Sequence, residues 1–266
     1  MRTLYPRLLS SQALLASAYS IDSALIEIIF ILGRALVAAC VASGFPGAAI
    51  LIAAVCAASG TAVFTRAPPL KSWRIEPPRR QLLGPLRSRR LLAVFAATVL
   101  YSLAFGLFEV AVTSFAIERG RTEAAGLILG LASLGSAAGA LSYGGAEWRA
   151  PLARQFLIAV SALSAGLLAL ASISNLYLFA AASLIAAAPM APVIAVQSIL
   201  VSRLAPKEML AESFTWGATC LLVGISGGIA GGGFLAEHLS TQSILILAAI
   251  PPLAAGAIVT ASYRSR

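Results

Sequence analysis

Long apolar runs broken by one basic linker constrain this chain more than any other feature. Residues 66–90 hold Arg66, Lys71, Arg74, Arg79, Arg80, Arg87, Arg89 and Arg90 against the single acid Glu76, and apolar segments flank them on both sides. A soluble domain carries about 25% charged residues. Here the charged fraction is 11% and the hydrophobic fraction 59%. A chain of that composition takes the bilayer as its solvent, and its basic linker reads as a cytoplasmic loop of a polytopic membrane protein.

A hydrocarbon core needs about 20 apolar residues per helix. On that scale the sequence divides into eight helices, at 24–44, 47–65, 91–117, 123–146, 153–173, 176–202, 209–236 and 241–262, separated by turns rich in Gly, Pro, Ser, Asn or charge. Residues 1–23 form an amphiphilic entry to the first span. The expected fold class is all-α, a polytopic membrane helix bundle of about eight transmembrane helices. Its organisation is two spans over 1–65, the linker over 66–90 and a six-helix unit over 91–266.

Charge sets the orientation. An alternating path that keeps the linker in the cytoplasm also puts Arg2, Arg7, Arg149, Arg154, Arg203, Lys207, Arg264 and Arg266 there. With the linker's eight, that makes 16 of the 19 basic residues. Arg119 and Arg121 fall on the other side, and Arg34 lies within a span. This positive-inside pattern predicts a multi-pass protein of the cell (cytoplasmic) membrane with both termini in the cytoplasm. The net charge of +9 then reports topology and contact with anionic membrane lipid. No aromatic or glycine motif accompanies the basic residues, so nucleic acid is not an expected partner.

Enzyme signatures are missing from the sequence. Cys40, Cys56 and Cys220 lie in separate apolar segments without Cys-x-x-Cys spacing and read as small buried hydrophobes. His238, the single histidine, lies in a loop beside Glu237, and no second ligand cluster suggests a metal site. There is no phosphate loop with Gly-Lys-Ser/Thr and no Gly-x-Ser-x-Gly elbow. The chain is expected not to be an enzyme and to need no cofactor.

Glycines mark the packing. The second helix after the linker carries Gly126, Gly130, Gly135 and Gly139, and the fifth carries Gly217, Gly224, Gly227, Gly228, Gly231, Gly232 and Gly233. Small residues four apart let membrane helices approach closely, which predicts helix contacts at Gly126, Gly130, Gly135, Gly139, Gly224, Gly228 and Gly232. Equivalent positions in two three-helix halves are the pattern of an inverted repeat.

Two stretches carry a resemblance. One is Tyr5-Pro6-Arg7-Leu8, followed by Ala18-Tyr19-Ser20-Ile21-Asp22-Ser23 and by Glu27-Ile28-Ile29-Phe30-Ile31-Leu32-Gly33. The other is Glu212-Ser213-Phe214-Thr215-Trp216, followed by the glycine run at 224–233. In this order the chain resembles the major facilitator superfamily, specifically its bacterial efflux-type members. The first stretch is similar to the family's passage from its fourth helix into its fifth, and the second to its eleventh helix. The resemblance implies that helices over 91–262 correspond to family helices seven to twelve, with helices one to four lacking, as in an N-terminally truncated form. Family antiporters often carry Gly-Pro in helix five, whereas Gly33 is followed here by Arg34.

The function implied is that of a secondary active transporter, an exporter of a small molecule of unknown identity, ion- or proton-coupled and working by alternating access. A second copy of the chain, or a missing N-terminal half, would complete the cavity. The alternative is a non-transporting membrane protein, either a truncated remnant or a membrane interaction partner.

Intramembrane ionisable residues are the first candidates for substrate or coupling-ion contact, because charge at mid-bilayer is costly. Glu109 lies deep in helix 91–117 with Tyr101, Phe105, Phe108 and Thr113 at helical spacing. Glu27 and Arg34 are seven residues apart, about two turns along one face. Glu212 enters the glycine-rich helix where an acid also suits a helix N-terminus. Gln197, next to Ser198, lies toward the inner end of a helix in which Pro189 and Pro192 predict a kink.

Overall fold

The computed structural model describes residues 2–9, 11–67 and 84–264, and every regular element among them is helical. In chain order these are α1 (Tyr5–Leu8), α2 (Gln12–Ala42), α3 (Pro46–Thr65), α4 (Arg89–Glu118), α5 (Ala124–Gly145) and α6 (Leu152–Ala171). They continue with α7 (Leu176–Ala186), α8 (Met190–Leu204), α9 (Leu210–Ala236), α10 (Thr241–Ala248) and α11 (Ile250–Arg264). Among the described residues eight helical stretches are long and apolar enough to cross a membrane, with α7–α8 and α10–α11 each counting as one. The chain is a multi-pass membrane protein. Most of the basic linker, residues 68–83, lies outside the described residues.

Local chemistry sets the helix ends. Ser88 caps α4 by accepting the Leu91 N–H, Asn175 caps α7 by accepting those of Tyr177 and Leu178, and Ser240 caps α10 by accepting that of Ser243. Each satisfies donors that a helix N-terminus leaves open. Pro46 occupies the first turn of α3, where a missing N–H costs nothing. Gly44 and Gly120 take positive φ at the turns after α2 and α4, a conformation that other residues resist.

Four sequence expectations change. The first span starts at Gln12 instead of residue 24, because the polar residues that seemed to interrupt it find partners. Asp22 accepts from Arg2 and Tyr5, and Ser17 donates to the Gly144 carbonyl. The bent helix expected over 176–202 is two helices separated by turns at 187–189. Pro189 and Pro192 each remove an i→i−4 donor, which breaks the ladder there. Pro251 and Pro252 have the same effect where α10 gives way to α11. Cys56, expected to be buried, is exposed on α3, while Cys40 is buried.

Of the described residues, those of Met1–Ile28 and Gln81–Arg266 form one compact unit and those of Ile29–Arg80 a second. The second unit is the end of α2 and the apolar helix α3, whose Ile50, Leu51, Val55 and Val63 are exposed as a lipid-facing surface requires. In the first unit, six spans follow the linker: α4, α5, α6, α7–α8, α9 and α10–α11. Their core has a linker-side layer around Leu91, Tyr101, Phe156 and Leu200, and a far-side layer around Phe115, Ile128, Leu170 and Phe179.

The packing of these six spans is symmetric under exchange of the first three for the last three. The first span packs on the fifth, and the fourth packs on the second. The first packs on the sixth, and the fourth on the third. Short turns make consecutive spans antiparallel, so spans three apart run in opposite directions, as in an inverted repeat. Glycine contacts repeat the relation at atomic detail. A Cβ at Gly135 or Gly139 of α5 would strike the carbonyls of Leu184 and Ala188, and a Cβ at Gly224 or Gly228 of α9 would strike those of Val99 and Leu103 in α4. In each seam two glycines four apart lie on two carbonyls four apart. Gly232 adds a contact with Val110, and Gly106 meets Gly228 from the α4 side. The contacts expected at Gly126 and Gly130 are absent, since a Cβ at either would find nothing within 4 Å. They lie nearer the far end of α5, before its seam with the fourth span begins.

Candidate functional site

The break in the fourth span exposes one backbone donor to a neighbouring helix. In an unbroken helix the Ala191 N–H would bond the carbonyl of Ala187, but the Met190 N–H takes that carbonyl at 2.9 Å. Ala191 donates instead to Oγ of Ser136 on α5, at 3.0 Å. The two flanking glycines, Gly135 and Gly139, bring the α5 backbone close enough for this reach. Ser136 is fully buried, and its hydroxyl donates a hydrogen bond to Oε1 of Glu27 on α2, at 2.8 Å. A directed chain therefore runs from Ala191 N–H through the Ser136 hydroxyl to the Glu27 carboxylate, and Ala24, Ala137, Ala140 and Ala191 of the same three helices form a small buried cluster. Each donor in it has an acceptor, as a buried polar chain requires.

A second polar cluster lies nearer the linker side. Arg2 Nε donates to Asp22 Oδ2 at 2.6 Å, and its Nη1 donates to Oγ of Ser198 on α8 at 3.3 Å. Tyr5 donates to Asp22 Oδ1 at 3.4 Å, and Tyr19 donates to the Arg2 carbonyl at 3.2 Å. Burial, and next the Asp22 carboxylate, push the Tyr5 phenol above its ordinary value of 10. The cluster ties α1 and α2 to α8 and brings opposite charges together, so its net charge is zero.

The sequence-predicted residues divide. Glu27 belongs to the chain at the break. Gln197 is buried on α8 with Nε2 against Gly217 of α9, beside the Ser198 that receives Arg2. Glu109 is half-buried on α4, with Thr113 donating to its backbone carbonyl. Glu212 is half-buried in the first turn of α9. Arg34, the other residue of that pair, has its side chain outside the described residues, and Glu27 accepts a bond from Ser136. The sequence reading missed Ser136 and Asp22. Ser136 had a signal, since it is the one hydroxyl between Gly135 and Gly139 on the face that those glycines bring to the fourth span.

No protein-family model matches the chain, and no curated protein matches it in sequence.

Proposed function

We propose that the chain acts in secondary transport, as an ion-coupled exporter of a small organic molecule that works by alternating access in the manner of the major facilitator superfamily. One observation carries this reading: a span interrupted inside the bundle, with a backbone N–H at the break joined through a serine hydroxyl to an intramembrane carboxylate. Broken helices whose half-helix ends meet charged groups are the way transporters build ion and substrate sites at mid-bilayer. An intramembrane acid is expensive and is kept where function needs it. The exchange-symmetric packing of the six spans adds support, since rocking of repeats about a central site is how such folds alternate.

The test is flux through purified protein in liposomes, using a panel of fluorescent organic solutes under imposed ion gradients. Gradient-driven flux above empty liposomes is expected, and Glu27→Gln should lower it at least tenfold, because Gln keeps the size of the acid but cannot cycle its charge. Wild-type protein that moves none of the panel under any gradient would favour a non-transporting membrane protein.

Orientation is a further expectation of the same reading: the linker and both termini face the cytoplasm of a cell membrane. An impermeant thiol reagent applied outside the cell should modify a cysteine placed at the exposed positions Arg121 or His238 and spare one at Arg80. The opposite labelling pattern would reverse the topology.

A further inference from the structure

We propose that the Ala191–Ser136–Glu27 chain is a proton-operated latch on the break between α7 and α8. It holds α2, α5 and α8 together most strongly while Glu27 is ionised, and it loosens when Glu27 takes up a proton. The inference rests on the transport reading only for its purpose; the latch itself is a property of the resting protein.

The direction of the hydrogen bonds carries the argument. Ser136 has one proton, and the Ala191 N–H occupies one of its lone pairs. Its proton therefore goes to Glu27 Oε1, and a bond donated to a carboxylate is roughly twice as strong as one donated to a neutral carbonyl. Protonation of Glu27 cancels that assistance and offers the serine a competing donor.

The same geometry favours a proton over a metal cation. A sodium ion needs several oxygen lone pairs turned toward it. Here the Ser136 hydroxyl presents its hydrogen to the carboxylate, and the backbone donor at the start of α8 adds positive potential on the same side. The groups at this point suit a carboxylate that gains and loses a proton.

Among the described side chains, the other charged or titratable groups along these helices include the following. On α5 the titratable side chain is Tyr143, seven residues on, whose hydroxyl bonds Gln155 Oε1. On α8 the charged residue is Arg203, twelve residues from Ala191 and about 18 Å along the helix. On α2, Asp22 is paired with Arg2, and the side chain of Arg34 lies outside the described residues.

Hydrogen exchange of the backbone amides at 187–192, measured in nanodiscs and referenced at each pH to the unfolded peptide, tests the latch. Acidifying through the carboxylate range should raise wild-type exchange there about fivefold, and Glu27→Gln should hold that raised level at every pH. Ser136→Ala should raise exchange about tenfold or more and make it insensitive to pH, because it orphans a buried N–H. Ser136→Thr, which keeps the hydroxyl, should restore both the low level and the pH response. Added sodium chloride, against potassium chloride at equal strength, should change nothing. Wild-type exchange that is flat with pH and equal to that of Glu27→Gln would overturn the latch, and so would protection by sodium. No gradient or substrate enters this measurement. A failed latch therefore leaves transport standing, and absent flux with an intact latch removes the transport reading alone.

Discussion

Gly228→Leu is expected to destabilise the protein by more than about 3 kcal/mol, or to prevent folding altogether. A Cβ at this position of α9 would stand 2.9 Å from the Gly106 Cα and 3.0 Å from the Leu107 N, and closer still to the Leu103 carbonyl. Every one of these atoms is backbone, so no side chain can swing aside and the helices themselves must part. Lipid supplies no hydrophobic force to hold parted helices together, and close backbone contact is much of what associates them. The comparison is Gly130→Leu on α5, where a Cβ meets nothing within 4 Å. That substitution should change stability by no more than about 0.5 kcal/mol. Thermal unfolding of both variants in the same detergent checks the pair, and equal losses would show that the seam between α4 and α9 does not govern stability.

The second large effect is expected at the end of the bundle away from the linker. Arg119 closes α4 and reaches across to the turn before α7, where its Nε and Nη2 donate to the Ser174 carbonyl at 3.0 and 2.7 Å. Its Nη1 donates to the Phe115 carbonyl at 3.3 Å, and its guanidinium lies 3.4 Å from the centre of the Phe115 ring. That ring stacks on Phe179 with centroids 3.9 Å apart. Beside it, Glu118 Oε1 accepts from both the N–H and the hydroxyl of Thr241, at 3.3 and 2.8 Å, which fastens α10 to α4. Arg119→Ala should cost about 2 kcal/mol or more, since it removes charge-assisted bonds and a ring contact together. Arg119→Lys should recover less than half of that loss, because a lysine has no planar fork for one carbonyl. Arg121→Ala, at an exposed position two residues away, serves as the control and should be close to neutral. Unfolding midpoints of the three variants decide the matter. An Arg121→Ala loss as large as that of Arg119→Ala would mean that net charge on this side is what matters.

Spans were legible in the sequence because lipid imposes one rule, a length of apolar chain, that composition alone can meet. Apolar runs found the positions of α3, α4, α5, α6 and α9 to within a few residues. The start of α2 was hidden because Ser17 and Asp22 look like interruptions until their partners are known. Asp22 pairs with an arginine twenty residues earlier, and Ser17 pairs with a carbonyl more than a hundred residues later. Glycine content pointed to the correct two helices but could not tell seam from surface. Gly130 and Gly135 differ by five residues, which turns them toward different neighbours, and only the position of the fourth span separates their roles. Glu27 stood out as a charge in an apolar run. Ser136 did not, because serine is ordinary in membrane helices and its importance comes from two residues distant in sequence.

The twin glycine seams also bear on how the gene can vary. At Gly135, Gly139, Gly224 and Gly228 the room beyond the Cα is already filled by carbonyls or Cα atoms of another helix. Every missense change from a glycine codon adds atoms, so mutation at these sites moves in one direction only, toward overcrowding. A core leucine can shrink, swap or be compensated by a neighbour that grows. These positions have no smaller residue to retreat to, and opposite Gly135, Gly139 and Gly228 the nearest atoms are backbone that cannot swing aside, while Gly224 faces the Val99 carbonyl and the Ser102 side chain together. Their two symmetric pairs should therefore drift more slowly than the apolar residues around them, and such drift as occurs should reach alanine or serine first.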